Sequence, residues 1–230
     1  MKKSDSDIVK YIFIVICVLE LASHILVLPE MNHYTKPLLM PALIVYFRRS
    51  LLSPPNLSFL IAVLALIFSW IGDVSLMYQN NDSMYFLIGL SAFGVAQILY
   101  IFSFSRARYN NETVLSIGRQ FGYSIPFILI GVVLLWNLVP EAGDLAYPLI
   151  VYALLLLAMV ISSILRMEQT NQSSFNQLFF GAILFLLSDS LLAMNKFLMP
   201  MENSGLFIML TYLLAQWNIV NGLLKHYNEK

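Results

Sequence analysis

Charge is what this sequence has least of. Of 230 residues, 13 are Lys or Arg and 13 are Asp or Glu, 11% in all with a formal net charge of +0. A soluble domain carries about a quarter charged residues. The balance is neutral and no basic run stands out, so nucleic acid is not expected as a partner. Cysteine is absent except for Cys17, which excludes a disulfide within the chain and leaves the redox compartment unreadable. Histidine is scarce as well: His24, His33 and His226. A catalytic zinc usually takes three protein ligands and an open position. Only His24, Glu20 and an aspartate can be put forward for that, without tight spacing, so neither a metal nor a cofactor is expected. The chain has no G-x-S-x-G nucleophile turn, no phosphate loop and no dinucleotide fingerprint. Ser188 and Ser190 flank Asp189 with no identifiable histidine partner.

What is present is apolar. Hydrophobic residues make up 59% of the chain and the mean hydropathy is +0.76, which identifies an integral membrane protein. About 20 apolar residues in helical form span the hydrocarbon. Eight runs meet or approach that length: 8–28, 35–49, 56–78, 83–104, 121–139, 145–165, 175–195 and 204–224. They are continuous rather than alternating, and their joints are polar or rich in Pro and Asn, so they predict helices and not a barrel. The N-terminal run resembles a secretory signal, but its apolar stretch is too long and no small-x-small cleavage site follows. The expectation is a first helix that stays.

The second run, "TKPLLMPALIVYFRR", is short and has Pro37 at a natural helix start with Pro41 one turn on. Charge argues that it crosses. With eight crossings one side collects Lys2, Lys3, Lys10, Arg48, Arg49, Arg106, Arg108, Arg119, Arg166, Lys225 and Lys230, and the other only Lys36 and Lys196. Eleven against two places both termini in the cytoplasm. The reading is an all-α, polytopic helix bundle of about eight transmembrane helices. It forms one transmembrane domain over 1–230, in a bacterial cytoplasmic membrane. Asn111-Glu112-Thr113 fits a glycosylation sequon, but on the cytoplasmic side it reads as a polar loop.

Two carboxylates break the apolar pattern. Asp73 sits in "FSWIGDVSLM" on the third run and Asp189 in "LFLLSDSLLAM" on the seventh. Each lies toward the outer end of its helix, and each costs about 2.5–3.5 kcal/mol to insert. Laying "LIFSWIGDVSLMYQ" over "AILFLLSDSLLAMN" matches Ile67, Asp73 and Leu76 with Ile183, Asp189 and Leu192, so two four-helix halves in parallel repeat are an open alternative. A structural account has each Asp paired with Lys36 or Lys196, or bonded to neighbouring hydroxyls. A catalytic account has them share a pocket, where one supplies a protonated acid and the other an ionised base.

Other polar side chains gather at the same depth. Glu20 and His24 are four apart on the first helix, and Tyr212 and Gln216 are four apart on the last. Gln97 lies in the fourth run, Lys36 opens the second, and Lys196 shares a face with Asp189. Singly, each reads as an interhelical hydrogen bond or a snorkelling lysine. Together they predict a cavity opening outward. A proton-coupled transporter also buries paired carboxylates between repeats, and Gly72 beside Asp73 is compatible with it. A hydrolase of another membrane lipid is a further alternative, and a homodimer stays open.

The blocks "TKPLLMP" (35–41), "GDVSLM" (72–77), "FLIGLSAFGVAQILYIFSF" (86–104), "SDSLLAMNKF" (188–197) and "TYLLAQWNIVNGLL" (211–224), in this order and spacing, resemble the YhhN-like lysoplasmalogenase family. The resemblance covers most of the chain. It implies an eight-helix membrane fold and hydrolysis of the vinyl ether bond of a lysoplasmalogen to a fatty aldehyde and a glycerophospho-head group. The family pattern falls on Lys36, Asp73, Asp189, Tyr212 and Gln216. Asp73 and Asp189 would be catalytic. Lys36, Tyr212, Gln216, Gln97, Asn195, Lys196, Glu20 and His24 would meet substrate, a lysophospholipid taken from the bilayer. The family often has histidine where this chain has Gln97, and an amide cannot exchange a proton near neutral pH as imidazole does.

Overall fold

The computed structural model describes residues 2–109 and 115–229, with the side chains of 2–5 left aside. The sequon at Asn111 and the side chains of Lys2, Lys3 and Lys230 lie outside the described residues. Among the described residues the chain is eight α-helices with no strand: α1 (Lys2–Ile25), α2 (Pro29–Ser50), α3 (Leu57–Met77), α4 (Ser83–Arg106), α5 (Ile117–Leu138), α6 (Ala146–Ile164), α7 (Gln172–Phe197) and α8 (Ser204–Asn228). Two short 3-10 turns link α5 to α6. All but α2 are long and apolar enough to cross a membrane, so this is an all-helical, multi-pass membrane protein.

The joints are set by local chemistry. Asn56, Asp82 and Asn171 each stand before a helix and accept a backbone N–H of its first turn, at 2.8 Å, 2.8 Å and 2.6 Å; this satisfies a donor that the helix itself leaves open. Pro54 and Pro55 sit in the irregular link ahead of α3. The second helix corrects the sequence reading: it begins at Pro29, not near residue 35. Proline at the first helical position loses nothing, because that N–H has no helical acceptor.

Pro37 and Pro41 therefore lie inside α2. Pro41 has no N–H to give the carbonyl of Pro37, four residues back. Trp70 of α3 fills that vacancy, its indole N–H donating to the Pro37 carbonyl at 2.8 Å. The bond fastens the Lys36 end of α2 to α3 one turn short of Asp73.

The chain's basic end is tied tightly. Arg48 and Arg49 end α2, Arg106 ends α4, and Lys225 lies in the last turn of α8. Asn228 joins the end of α8 to that of α2, its side chain donating to the Ser50 carbonyl at 3.0 Å and accepting from the Leu52 N–H at 2.9 Å. Arg166, just beyond α6, is fully buried. Its guanidinium donates to the Ala107 carbonyl at 3.0 Å and the Ser174 hydroxyl at 2.9 Å, satisfying the carbonyl of the residue that caps α4. Burial pushes its pKa down to about 10, which still leaves it charged at neutral pH. Helix α2 thus carries Lys36 in its N-terminal half and ends at Ser50 beside the end of α8.

Candidate active site

The end opposite the buried arginine holds a polar cavity of about 290 Å³. It is built where α1, α3 and α7 finish and α2 and α8 begin. Asp73 and Asp189 both line it, with Lys36, His24 and Asn195 around them and Tyr212 alongside. The third and seventh helices therefore bring their carboxylates to one chamber.

Each carboxylate is held by a tyrosine. The Tyr212 hydroxyl of α8 donates to Asp73 Oδ2 at 2.8 Å. The Tyr152 hydroxyl of α6 donates to Asp189 Oδ2, and the Gln97 amide of α4 donates to the same oxygen at 3.4 Å. Behind Tyr212, Gln216 donates to its hydroxyl oxygen at 3.3 Å and to Ser69 at 3.2 Å, and accepts from Tyr100 at 2.6 Å. All donors named for the two carboxylates converge on Oδ2. That geometry fixes two side chains on rigid helices, and among the described residues no hydrogen bond is made to the other oxygen of either carboxylate.

The α1–α2 wall has its own network. Glu20 is fully buried and accepts from the Thr35 hydroxyl at 2.5 Å and the Asn32 amide at 2.7 Å. Its carboxylate also stands 3.3 Å from His24 Nε2, as the four-residue spacing on one helix face predicts. Glu20 does not line the cavity; it orients His24 and Asn32, which do. Among the described residues no three His, Cys, Asp or Glu side chains gather as a metal would require.

Not every expected residue reaches the chamber. Lys196 points away, its ammonium 4.9 Å from the Phe86 ring centroid, a placement that cation–π attraction accounts for. Gln97 and Gln216 are fully buried behind the carboxylates rather than on the cavity wall. Asn195 lines it but is also engaged, its Oδ1 accepting the Met201 N–H at 2.8 Å. Neither aspartate forms an ion pair with Lys36 or Lys196 among the described residues; the hydroxyl partners prevail. Tyr152 was missed, and the available signal was a lone hydroxyl inside the apolar run "LIVYALLLL". Asn32 was missed as well, hidden in a stretch read as a loop.

A family model described as YhhN family matches residues 31–223. Lysoplasmalogenase TMEM86B of Sus scrofa is 32% identical to the chain over 152 residues, which is 66% of this chain and 58% of that protein. Lysoplasmalogenase TMEM86B of Homo sapiens is 30% identical over the same share of each. The chain thus matches well under two thirds of the length of these curated relatives. No solved structure matches it.

Proposed function

The chain belongs to the YhhN family, and from that premise we propose that it is a membrane hydrolase cleaving the vinyl ether bond of a lysoplasmalogen-type lysolipid. The observation that carries this reading is the pair of tyrosine-held carboxylates, Asp73 and Asp189, on one polar cavity.

The chemistry asks for two groups. A carboxylic acid protonates the alkenyl carbon not bonded to the ether oxygen, and the carbon that is bonded to that oxygen becomes an oxocarbenium ion. A carboxylate steadies that cation and takes a proton from the attacking water. The hemiacetal then collapses to a fatty aldehyde and the glycerophospho-alcohol. This is the division of labour that two carboxyls perform on an acetal. Gln97, a hydrogen-bond donor to Asp189, holds that carboxylate in place without exchanging protons.

In this proposal α2 is an eighth crossing: its 22 residues reach about 33 Å at 1.5 Å per residue, enough for the hydrocarbon core. The eleven-to-two distribution of Lys and Arg then supports cytoplasmic termini, one transmembrane unit and a cavity facing the outer leaflet of a bacterial cytoplasmic membrane.

Mass spectrometry of products after incubating purified protein with alkenyl, alkyl and acyl lysophospholipids tests the reaction. Aldehyde from the alkenyl lipid alone is the expected result; fatty acid from the acyl lipid, or no product at all, overturns it. Lys36, half-buried on the cavity wall, supplies a point charge for the lipid phosphate. Lys36→Met is expected to raise KM about 10- to 100-fold, the worth of one charge-assisted hydrogen bond, with a smaller change in kcat. An alkenyl glycerol lacking phosphate is the control. An equal loss on that neutral substrate removes the phosphate role.

A further inference from the structure

A second cavity adjoins the first. It is walled by α4, α5, α6 and α7, its lining including Leu90, Leu134, Leu138, Leu149, Leu156 and Ala193. Asp189 and Leu192 border both chambers. The polar groups on this second wall are spoken for: Tyr152 donates to Asp189, and the Ser190 hydroxyl donates to the Leu186 carbonyl at 2.7 Å. One chamber is thus polar and the other hydrocarbon, with a carboxylate at their junction.

We propose that this apolar cavity receives the hydrocarbon chain of a single-chain lipid whose head group occupies the polar one. The proposal rests on the hydrolase reading of the polar cavity and adds where the chain goes. An amphiphile seated this way has the bond between chain and head beside Asp189, where the vinyl ether has to be.

The cavity is small, about 50 Å³ against about 290 Å³ for the polar chamber. It therefore holds only the first carbons, and the rest of the chain must leave it sideways. Helix α5 is the wall suited to let it out. Its buried residues are Ser124, Gly131 and Leu138 alone, a seam seven residues in period, and Gly131 meets the Leu157 side chain. Phe121, Ile125, Leu129, Val132 and Trp136 are exposed on the same helix. A helix attached along so narrow a line can shift outward while the carboxylate-bearing α3 and α7 stay packed. The chain then runs between α5 and α6 into the bilayer.

The test uses a 1-alkyl lysophosphatidylcholine carrying a diazirine early in its chain. A saturated ether has no alkenyl carbon to protonate, so binding is read without turnover. After illumination in detergent the labelled residues are mapped by mass spectrometry, with unlabelled alkyl lysolipid as competitor. Labels on Leu134, Leu138, Leu149 or Leu156 that the competitor removes are the expected result. Ala153→Phe and Ala193→Phe, each filling the cavity from a different helix, should reduce that labelling about tenfold, the low end of what excluded methylenes cost in an apolar pocket. Thermal midpoints report whether either variant is misfolded, and the wild-type map decides alone if both are. Labels in the neighbouring groove between α4 and α6, near Gly94 and Leu155, overturn the proposal. So do labels spread over lipid-facing side chains such as Trp136, or labelling unaffected in folded variants. If the wild type is labelled in the cavity yet releases no aldehyde from any alkenyl lysolipid, the hydrolase reading fails and the chain site stands.

Discussion

Asp73→Asn and Asp189→Asn each lower aldehyde release by about 10²–10⁴-fold, the usual contribution of one positioned proton-transfer group, while the protein stays folded. The second half of that expectation follows from the hydrogen bonds. The Tyr212 hydroxyl reaches Asp73 through Oδ2 alone, and Tyr152 and Gln97 share Oδ2 of Asp189. An asparagine carbonyl accepts the same donors, so the helix contacts persist. Replacing a buried carboxyl by a neutral amide also removes the cost of desolvating its charged form, so thermal midpoints in detergent should hold or rise. The amide can neither deliver a proton to carbon nor take one from water. The structural account of the two aspartates predicts the reverse pattern: activity kept, or activity and stability lost together. Wild-type turnover by either folded variant excludes the catalytic pair.

How far the sequence could be read depended on whether a feature was local. Seven helices were legible because insertion into hydrocarbon demands continuous apolarity and internal hydrogen bonding, and both leave a one-dimensional trace. Asp73 and Asp189 were legible for the complementary reason, since a carboxyl inside such a run is costly enough to need a purpose. The start of α2 was not legible: "PEMNHYTK" looks like a loop by hydropathy, yet Asn32 and Lys36 line the chamber and Thr35 is bonded to Glu20, contacts that hydropathy does not register. Tyr152 and Trp70 escaped because their partners, Asp189 and the Pro37 carbonyl, lie far along the chain, and an aromatic in an apolar helix carries no mark of what its polar tip meets. Lys196 was assigned to the wrong wall because helical periodicity gives a face but not the neighbour on that face. Phe86 of α4 is that neighbour.

Gly181→Ala, one methyl group away from the natural chain, is expected to destabilise the protein by about 1–3 kcal/mol, the usual cost of overpacking, and to depress activity with it. Helices α7 and α8 approach backbone to backbone. A Cβ at Gly181 would stand 2.8 Å from the Ile219 nitrogen and 2.9 Å from the Ala215 carbonyl oxygen, and one at Gly222 would stand 2.8 Å from the Leu178 nitrogen. No side chain can swing aside to relieve these contacts, so the helices must part. Small residues drive helix association in a membrane for this reason: apolar lipid offers no hydrophobic penalty for separation, and close van der Waals packing is what remains. Parting them acts on the site from a distance. Asp189 lies eight residues along α7 from Gly181, about 12 Å at helical rise, and the Ser188 hydroxyl beside it holds the Ile208 carbonyl of α8 at 3.0 Å. The same displacement carries Tyr212, on α8, away from Asp73. Gly118→Ala is the control, because nothing lies within 4 Å of the added methyl and alanine is the better helix former. Thermal unfolding in detergent with parallel aldehyde assays reads the outcome. A Gly181→Ala protein as stable and active as Gly118→Ala would mean that α7 and α8 do not meet along this glycine seam, and the alignment of Tyr212 with Asp73 would then need another cause.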